Sequence, residues 1–391
     1  VATAGELVLL ASQAAFWLAL AVVAYAYLGY PTLLGLAAWL RPAPAVRKSP
    51  ITPSVSVVIV ARNEEARLEA KLRYCLALDY PREQLEILVV SDGSEDGTEA
   101  IAARFAERGV RLLALRAAAG KASALNRAVP QARGEILLFT DARQRLAPDA
   151  LTRLVAHFAD ASVGAVSGAL HLAPPSALSA NAGVGTYWSF EKLVRRAESR
   201  LDSTIGVTGA IYALRKELFR PLDERTILDD VAVPMEVVLA GRRVVFEPLA
   251  AAWDEISADA AREFRRKVRT LAGNYQLVRL RPELVDPTKN RLFWQFVSHK
   301  LARLAVPWCL LLLLASSAAL ASQGGVYRAA LAAQLVLYLC AALAQLLHSR
   351  GRASRPLSLP YAFVLLNLAA AAALIGFLRG TETAAWKGTS R

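Results

Sequence analysis

Between Leu7 and Leu40 the chain carries no Asp, Glu, Lys or Arg. A helix needs about 20 apolar residues to cross a bilayer core, so this stretch holds one tilted span followed by an interfacial piece after Pro31. Three more apolar runs lie near the other end, at residues 306–321, 326–347 and 359–378. Buried helices of a large soluble protein are the competing reading, and three such runs in succession argue against it. The overall composition, 55% apolar and 20% charged, averages a polar middle with two greasy ends.

Basic residues orient these spans, because cytoplasmic loops carry an excess of Lys and Arg. Arg41, Arg47 and Lys48 follow the first run, and Arg350, Arg352 and Arg355 lie between the third and fourth. The connection 322–328 is nearly uncharged. The expectation is a multi-pass protein of the plasma (inner) membrane, its amino-terminal end outside and its middle domain in the cytoplasm. Residues 379–391 then fall outside, where Arg379, Lys387 and Arg391 run against the rule. The chain divides into a membrane helix with linker (1–50), a cytoplasmic domain (51–285), and an interface helix with membrane helices (286–391). Residues 290–296, with Trp294 at headgroup depth, read as that interface helix.

The middle reads as alternating strands and helices. Apolar runs at 54–60, 85–90, 110–115 and 135–140 have the length of strands. Leu68, Leu72 and Leu76 mark one face of a helix over 64–78, and another helix follows at 98–108. Strands separated by helices predict an α/β fold with a mostly parallel sheet and right-handed crossovers. Further strands are expected at 163–168, 208–215 and 243–246. Helices are expected at 188–200 and, strongly basic, at 261–280. One more carries Asp229, Asp230 and Glu236 and ends at Gly241, which suits a left-handed cap.

Two of these strands end in an aspartate. The first runs into Ser91-Asp92-Gly93-Ser94 and the second into Thr140-Asp141. Ligands of open α/β sheets bind at that edge. With Gly120-Lys121 between them and a net charge of +13, the pattern predicts a pocket for an anionic, nucleotide-like ligand. Carboxylates there can accept hydrogen bonds from a base and ribose, or hold a divalent cation against a diphosphate. One Asp-Gly-Ser alone could be a turn; a second strand ending the same way argues for a site. Cys75, Cys309 and Cys340 have no metal-ligand or disulfide spacing, and the four histidines are scattered, so neither a zinc site nor a histidine-based triad is supported.

The motifs in order are Val60-Ala61-Arg62-Asn63-Glu64, Ser91-Asp92-Gly93-Ser94, Gly120-Lys121 through Asn126, Thr140-Asp141-Ala142-Arg143, Thr208-Gly209-Ala210, Leu228-Asp229-Asp230 and Arg266-Lys267-Val268-Arg269-Thr270. Over residues 54–276 the chain resembles the membrane-bound family-2 glycosyltransferases of the inverting GT-A fold, the group of the cellulose, chitin, hyaluronan and poly-N-acetylglucosamine synthases. That resemblance implies a Rossmann-like GT-A domain flanked by about one amino-terminal and three carboxyl-terminal membrane helices. It also implies a nucleotide-sugar donor, UDP-linked, and a membrane-associated lipid or glycan acceptor.

By the same resemblance Glu64 and Asp92 hold the base and ribose, with Lys121 nearby, and Asp141 opens the Asp-x-Asp element that supports the donor and a Mg2+ or Mn2+ ion. Asp230 takes the place of the general base and Asp229 the acidic position before it. The alternative for this pair is a helix start, where acidic residues favour the dipole. Two positions depart from the family. Arg143 stands where the second aspartate of Asp-x-Asp is expected, so a guanidinium, which can engage two phosphate oxygens, substitutes positive charge for part of the metal's work or points away. Arg266 and Thr270 replace the first and last residues of the Gln-x-x-Arg-Trp element, while Arg269 is kept for the leaving diphosphate. Losing the aromatic platform weighs against long-chain synthesis.

Gly209, Trp188, Thr270 and Trp253 are acceptor candidates, with Glu191 and Glu255 as softer ones; core packing competes for both tryptophans. The basic helix also reads as an interfacial helix drawn to anionic headgroups. The enzyme reading is transfer of a sugar to a lipid or glycan acceptor. Its rivals are a processive synthase that exports its polymer and a non-catalytic nucleotide-sugar-binding module. Four spans are few for a polymer channel, and oligomers could supply more. Nucleic-acid binding is not expected, because the basic residues cluster beside the membrane runs without interleaved aromatics.

Overall fold

The computed structural model describes residues 3–173, 182–255, 260–350 and 354–381. Eight strands form one mixed sheet: β1 (Val55–Ala61), β2 (Leu85–Asp92), β3 (Val110–Leu115), β4 (Ile136–Phe139), β5 (Arg145–Leu146), β6 (Val163–Ala173), β7 (Tyr212–Arg215) and β8 (Arg243–Glu255). Their order is β3-β2-β1-β4-β7-β6-β8-β5. β1, β2, β3 and β4 are mutually parallel, and β6 pairs parallel with β8. β7 is antiparallel to β4 and β6, and β5 to β8. The sheet is mostly parallel as expected, with β7 and β5 as its antiparallel members.

β1 is buried along its whole length, as a strand covered on both faces must be. Alternation sorts its side chains into two layers. Val55, Val57 and Ile59 join Leu68, Leu72 and Cys75 of the helix Glu65–Leu76 on one face. Val58 and Val60 join Leu125 of the helix Lys121–Ala128 and Val231 of the helix Asp229–Leu239 on the other. The short β5, and the extension of β8 past residue 246, were not foreseen. They add a flap on the far edge, where bulges break the pairing of β8 with β6.

Among the described residues four helices are long and apolar enough to cross a membrane: Ala4–Leu40, Phe293–Ala319, Gly325–Ser349 and Pro356–Leu378. Leu18, Leu28, Leu311 and Leu339 point outward from them. The first has 37 residues, about 55 Å of helix against a hydrocarbon core of about 30 Å. Its surplus follows a π-helical turn at Tyr25–Gly29 and docks on the helix Ala182–Leu201 through Tyr30, Leu34 and Val194. The expected interface helix over 290–296 and the span expected from residue 306 form one unit, which starts at Phe293 and passes through a second π-helical turn, Val297–Leu301. Trp294 Nε1 donates to Tyr25 Oη at 2.9 Å, joining the two helix groups.

Candidate active site

Four strand ends meet at one edge of the sheet. The registers Ala61↔Ser91 and Val58↔Phe139 bring the carboxyl ends of β1, β2 and β4 level. β7 runs the other way and pairs Tyr212 with Phe139. The segment Thr208-Gly209-Ala210 that feeds β7 therefore lies at the same edge.

A cleft of about 620 Å³ opens over the ends of β1, β2 and β3, lined in part by Arg62, Gly93, Ser94, Glu99 and Leu115. Gly93 has φ +63°, and a Cβ there would stand 2.5 Å from the Ala118 nitrogen. Only glycine allows residues 117–118 to close that wall. Asp92 is fully buried. Its Oδ1 accepts from the Ala119 amide at 2.8 Å and its Oδ2 from the Gly120 amide at 2.9 Å. Both oxygens thus hold the loop that presents Lys121. Glu64 stands beside Arg62; its amide donates to Thr98 Oγ1 at 2.8 Å and its carboxylate pairs with Arg67 at 3.0 Å.

Lys121 joins the charged groups of this edge. Its Nζ lies 3.1 Å from Asp141 Oδ1 and 3.0 Å from Asp229 Oδ2. Burial works against its charge, yet Asp141 and Asp229 outweigh burial and raise its pKa well above the ordinary value. Burial also opposes ionisation of Asp141, but Lys121, Arg143 and Lys71 hold that carboxyl below the ordinary range. Asp230 differs. Burial, reinforced by the Asp229 charge, pushes its carboxyl up to about 6 against the pull of Lys300, Lys121 and Arg195. Such a group is ionised at neutral pH and can still take a proton, which is the poise of a general base. A Cβ on Gly209 would stand 3.7 Å from Lys121 Nζ and 3.9 Å from Asp230 Cβ. The absent side chain leaves room between the Lys121 ammonium and Asp230.

Several residues at this edge escaped the sequence reading. Tyr212 is fully buried, its hydroxyl has no hydrogen-bond partner among the described residues, and the charges of Asp229, Lys121, Asp230 and Asp141 reach it. Lys71 is buried on the apolar face of its helix and donates to Thr140 Oγ1 at 2.6 Å and to the Gln144 carbonyl at 2.9 Å. Thr140 Oγ1 donates to the Ala210 carbonyl at 2.7 Å, so the Asp141 and Gly209 segments are tied together. A lysine on the face shared by Leu68, Leu72 and Cys75 was the available signal for Lys71. Tyr212 carried none.

The residues do not build a protein cage for a divalent cation. Arg143, at the second acidic position, has Nε 3.2 Å from Asp254 Oδ2, which also accepts from Gln144 Nε2 at 3.1 Å. Asp141 is already paired with Lys121. Among the described residues no group of three or more His, Cys, Asp or Glu gathers in metal-binding range.

The acceptor candidates scatter. Trp253 on β8 lies under the Arg145 guanidinium, 4.8 Å from its ring centre, with the His171 ring 5.9 Å away. One face of that ring is therefore occupied. Glu191 is buried and tied to His299 at 3.1 Å and to Arg303, so it forms no open wall. The side chains of Trp188 and Glu255 lie outside the described residues. On the helix Ala260–Leu280, Arg266 pairs with Glu263 at 2.9 Å, Arg269 is exposed, and the exposed Thr270 donates its hydroxyl to the Arg266 carbonyl at 2.9 Å. This helix braces the turn before Asp229. The Ile227 amide donates to Gln276 Oε1 at 3.0 Å, and a Cβ on Gly273 would stand 2.7 Å from Leu228 Cγ.

A Rossmann-like mixed sheet with a lysine-bridged acidic edge, beside apolar helices, is the arrangement of a GT-A-like domain. Residues 56–222 match the model of glycosyl transferase family 2. It is 25% identical over 229 residues to a poly-beta-1,6-N-acetyl-D-glucosamine synthase of Staphylococcus aureus, covering 57% of this chain and 55% of that protein. It is 27% identical over 237 residues to the probable glycosyltransferase YdaM of Bacillus subtilis, covering 58% and 56%. The chain thus spans little more than half the length of these curated relatives. A mannosyltransferase of Pyrobaculum calidifontis, solved in complex with GDP-Man and Mn2+, superposes with a TM-score of 0.72 at 26% identity, over 94% of this chain and 100% of that one.

Proposed function

We propose that the protein transfers one sugar, with inversion, from a nucleotide-sugar donor to a membrane-associated lipid or glycan acceptor at the cytoplasmic face of the plasma membrane. The observation that carries this reading is Asp230, pushed up to about 6 across an open floor from the Lys121–Asp141 pair. The base and ribose lie in the cleft beside Arg62 and Gly93, with Glu64 at its rim and Asp92 fixing the loop behind. Lys121 and Arg143 face the diphosphate, joined by Arg269 from the basic helix. Asp229 orients Lys121.

In the reaction Asp230 accepts the proton of an acceptor hydroxyl as its oxygen bonds to the anomeric carbon. The bond from that carbon to the phosphate oxygen breaks on the opposite face, and the nucleoside diphosphate leaves with the electron pair. Lys121 supports the charge that develops there. The P. calidifontis relative was solved with GDP-Man and Mn2+, so a Mg2+ or Mn2+ ion remains a proposal here. Asp141 would be its protein ligand, and the ion would neutralise the leaving diphosphate. Thr270 offers no ring for a polymer to stack on, which favours single transfer over processive synthesis. UDP remains the expected nucleotide.

The test is purified full-length protein in lipid nanodiscs with a panel of nucleotide sugars, scoring nucleotide release and product mass. One donor should be consumed, and Asp230→Asn should bind it and not turn it over. No nucleotide release with any donor, or loss of donor binding in Asp230→Asn, overturns the assignment.

A further inference from the structure

Lys71 stands on the buried face of the helix Glu65–Leu76, among Leu68, Leu72 and Cys75, and is 1% exposed. Packing does not call for a lysine there, since an ammonium taken out of water is costly unless hydrogen bonds replace its hydration. Both of its bonds go to one loop. β4 ends at Phe139 and β5 begins at Arg145, so residues 140–144 are the whole connection between them. Lys71 Nζ donates to Thr140 Oγ1 at 2.6 Å and to the Gln144 carbonyl at 2.9 Å. Those are the first and last residues of the connection.

Burial alternates along this loop. Thr140, Ala142 and Gln144 are buried, Asp141 is half-buried and Arg143 is exposed. The inward side chains are anchored further: Thr140 Oγ1 donates to the Ala210 carbonyl at 2.7 Å, and Gln144 Nε2 to Asp254 Oδ2 at 3.1 Å. The outward ones are the acid beside Lys121 and the arginine beside Asp254. Connections between strands are the mobile parts of a fold. Here one buried ammonium spans both ends of a connection and sets where its two charged side chains stand.

We infer that Lys71 is a positioning residue for the donor's diphosphate: it clamps Thr140 to Gln144 and thereby holds Asp141 and Arg143 in place. This rests on the reading that Asp141 and Arg143 face that diphosphate. The competing role is a buried lysine that only holds the fold together. The two roles protect different things. A clamp on residues 140–144 governs the grip on phosphate and leaves the nucleoside cleft over β1, β2 and β3 unchanged, whereas a fold staple affects both alike.

Full-length protein in lipid nanodiscs with Mg2+ is titrated by calorimetry with UDP and with uridine, or with GDP and guanosine if a GDP-sugar is the donor consumed. Lys71→Met keeps the length of the side chain without the ammonium, and Thr140→Val removes the hydroxyl that it meets. Each should weaken diphosphate binding about tenfold or more, with nucleoside affinity within about twofold. Thr140→Ser should recover most of what Thr140→Val loses. The double variant should lose clearly less than the product of the two single losses, because both break the same bond. In turnover, kcat/KM for the donor should fall in parallel while acceptor KM stays within about twofold. An unchanged ratio of diphosphate to nucleoside affinity in the variants overturns the inference, whatever happens to the melting temperature. So does a double variant that loses the full product, or a native protein that binds UDP and GDP no tighter than their nucleosides. If Lys71→Met fails to fold, the comparison of Thr140→Val with Thr140→Ser still decides. The binding ratios need no turnover, so an unchanged ratio with active native enzyme sinks only this inference. Absence of nucleotide release with every donor sinks the enzyme assignment and leaves the ratios to decide the role of Lys71.

Discussion

The pH dependence of turnover follows directly from the surroundings of Asp230. A base must be unprotonated to act, so the rate should rise with pH through its titration and level off above it. With the carboxyl pushed up to about 6, the ionised fraction falls about tenfold per pH unit below that point. kcat/KM at pH 5 should be about a tenth of the plateau. Two neighbours should move this limb in opposite directions. Asp229 raises the Asp230 value by charge repulsion, so Asp229→Asn should move the limb to lower pH. Lys300 lowers it, so Lys300→Gln should move the limb to higher pH. Lys300 Nζ and the backbone carbonyl oxygen of Asp230 both lie within 4.0 Å of one point beside Gly206, which puts the ammonium near that residue's backbone. For a carboxylate about 8 Å from an ammonium at an effective dielectric near 20, the interaction is about 2 kcal/mol, or about 1.5 pKa units. Lys300 is half-buried and water screens it, so a shift of about 0.5–1 unit is expected. The assay is nucleotide release at saturating acceptor and limiting donor from pH 4.5 to 8.5, with Asp230→Asn expected to lose about 10²–10⁴-fold. A flat profile between pH 5 and 7, or both variants shifting the same way, would refute the reasoning.

Three further outcomes are expected. Gly93→Ala forces a side chain into a backbone at φ +63° and against Ala118; at about 1–2 kcal/mol of local strain, it should weaken nucleotide binding about tenfold by calorimetry while leaving far-ultraviolet circular dichroism unchanged. Arg143→Asp releases Asp254 and sets a second carboxylate beside Asp141, so Mn2+ affinity read by electron paramagnetic resonance should rise about tenfold; no gain would show that the arginine does not stand in a cation's place. Glu247 accepts from Lys48 at 2.6 Å and hydrogen-bonds His157 at 2.8 Å. Although burial opposes it, these partners hold its carboxyl down at about 2. Glu247→Gln should cost about 1–3 kcal/mol at pH 7. Because the folded value is depressed, the difference from native should be full above about pH 4.5 and close as pH falls towards 2; a constant gap would rule this out.

Some parts of the site were legible because local chemistry announces them. Asp92-Gly93 and Asp141 follow strand-length apolar runs, and the parallel registers of β1, β2 and β4 then bring those ends level. Asp229 and Asp230 begin a helix, as the dipole argument alone would allow, and the same two residues also face Lys121. Asp92 shows the limit of such reading, since both its oxygens bond to the Ala119 and Gly120 amides, and no spacing rule reports which atoms a buried carboxylate will meet. Trp253 looked like a platform for a sugar until Arg145, brought opposite by the β5–β8 pairing, covered one face of its ring.

By itself the sequence determined the elements whose cause is local. The apolar runs make helices that can cross a membrane, the alternating segments make the layered sheet, and the glycines sit where backbone must turn or approach closely. Tertiary structure alone decided the partners. Antiparallel entry of β7 carried Gly209 and Tyr212 to the edge where β4 leaves, and within the π-helical turn Val297–Leu301 Lys300 reaches Gly206 while His299 meets Glu198 and Glu191. Periodicity within one segment sets which face a residue occupies. Charge pairing depends on distances between segments far apart in the chain, and those exist only once the strands have registered and the helices have packed.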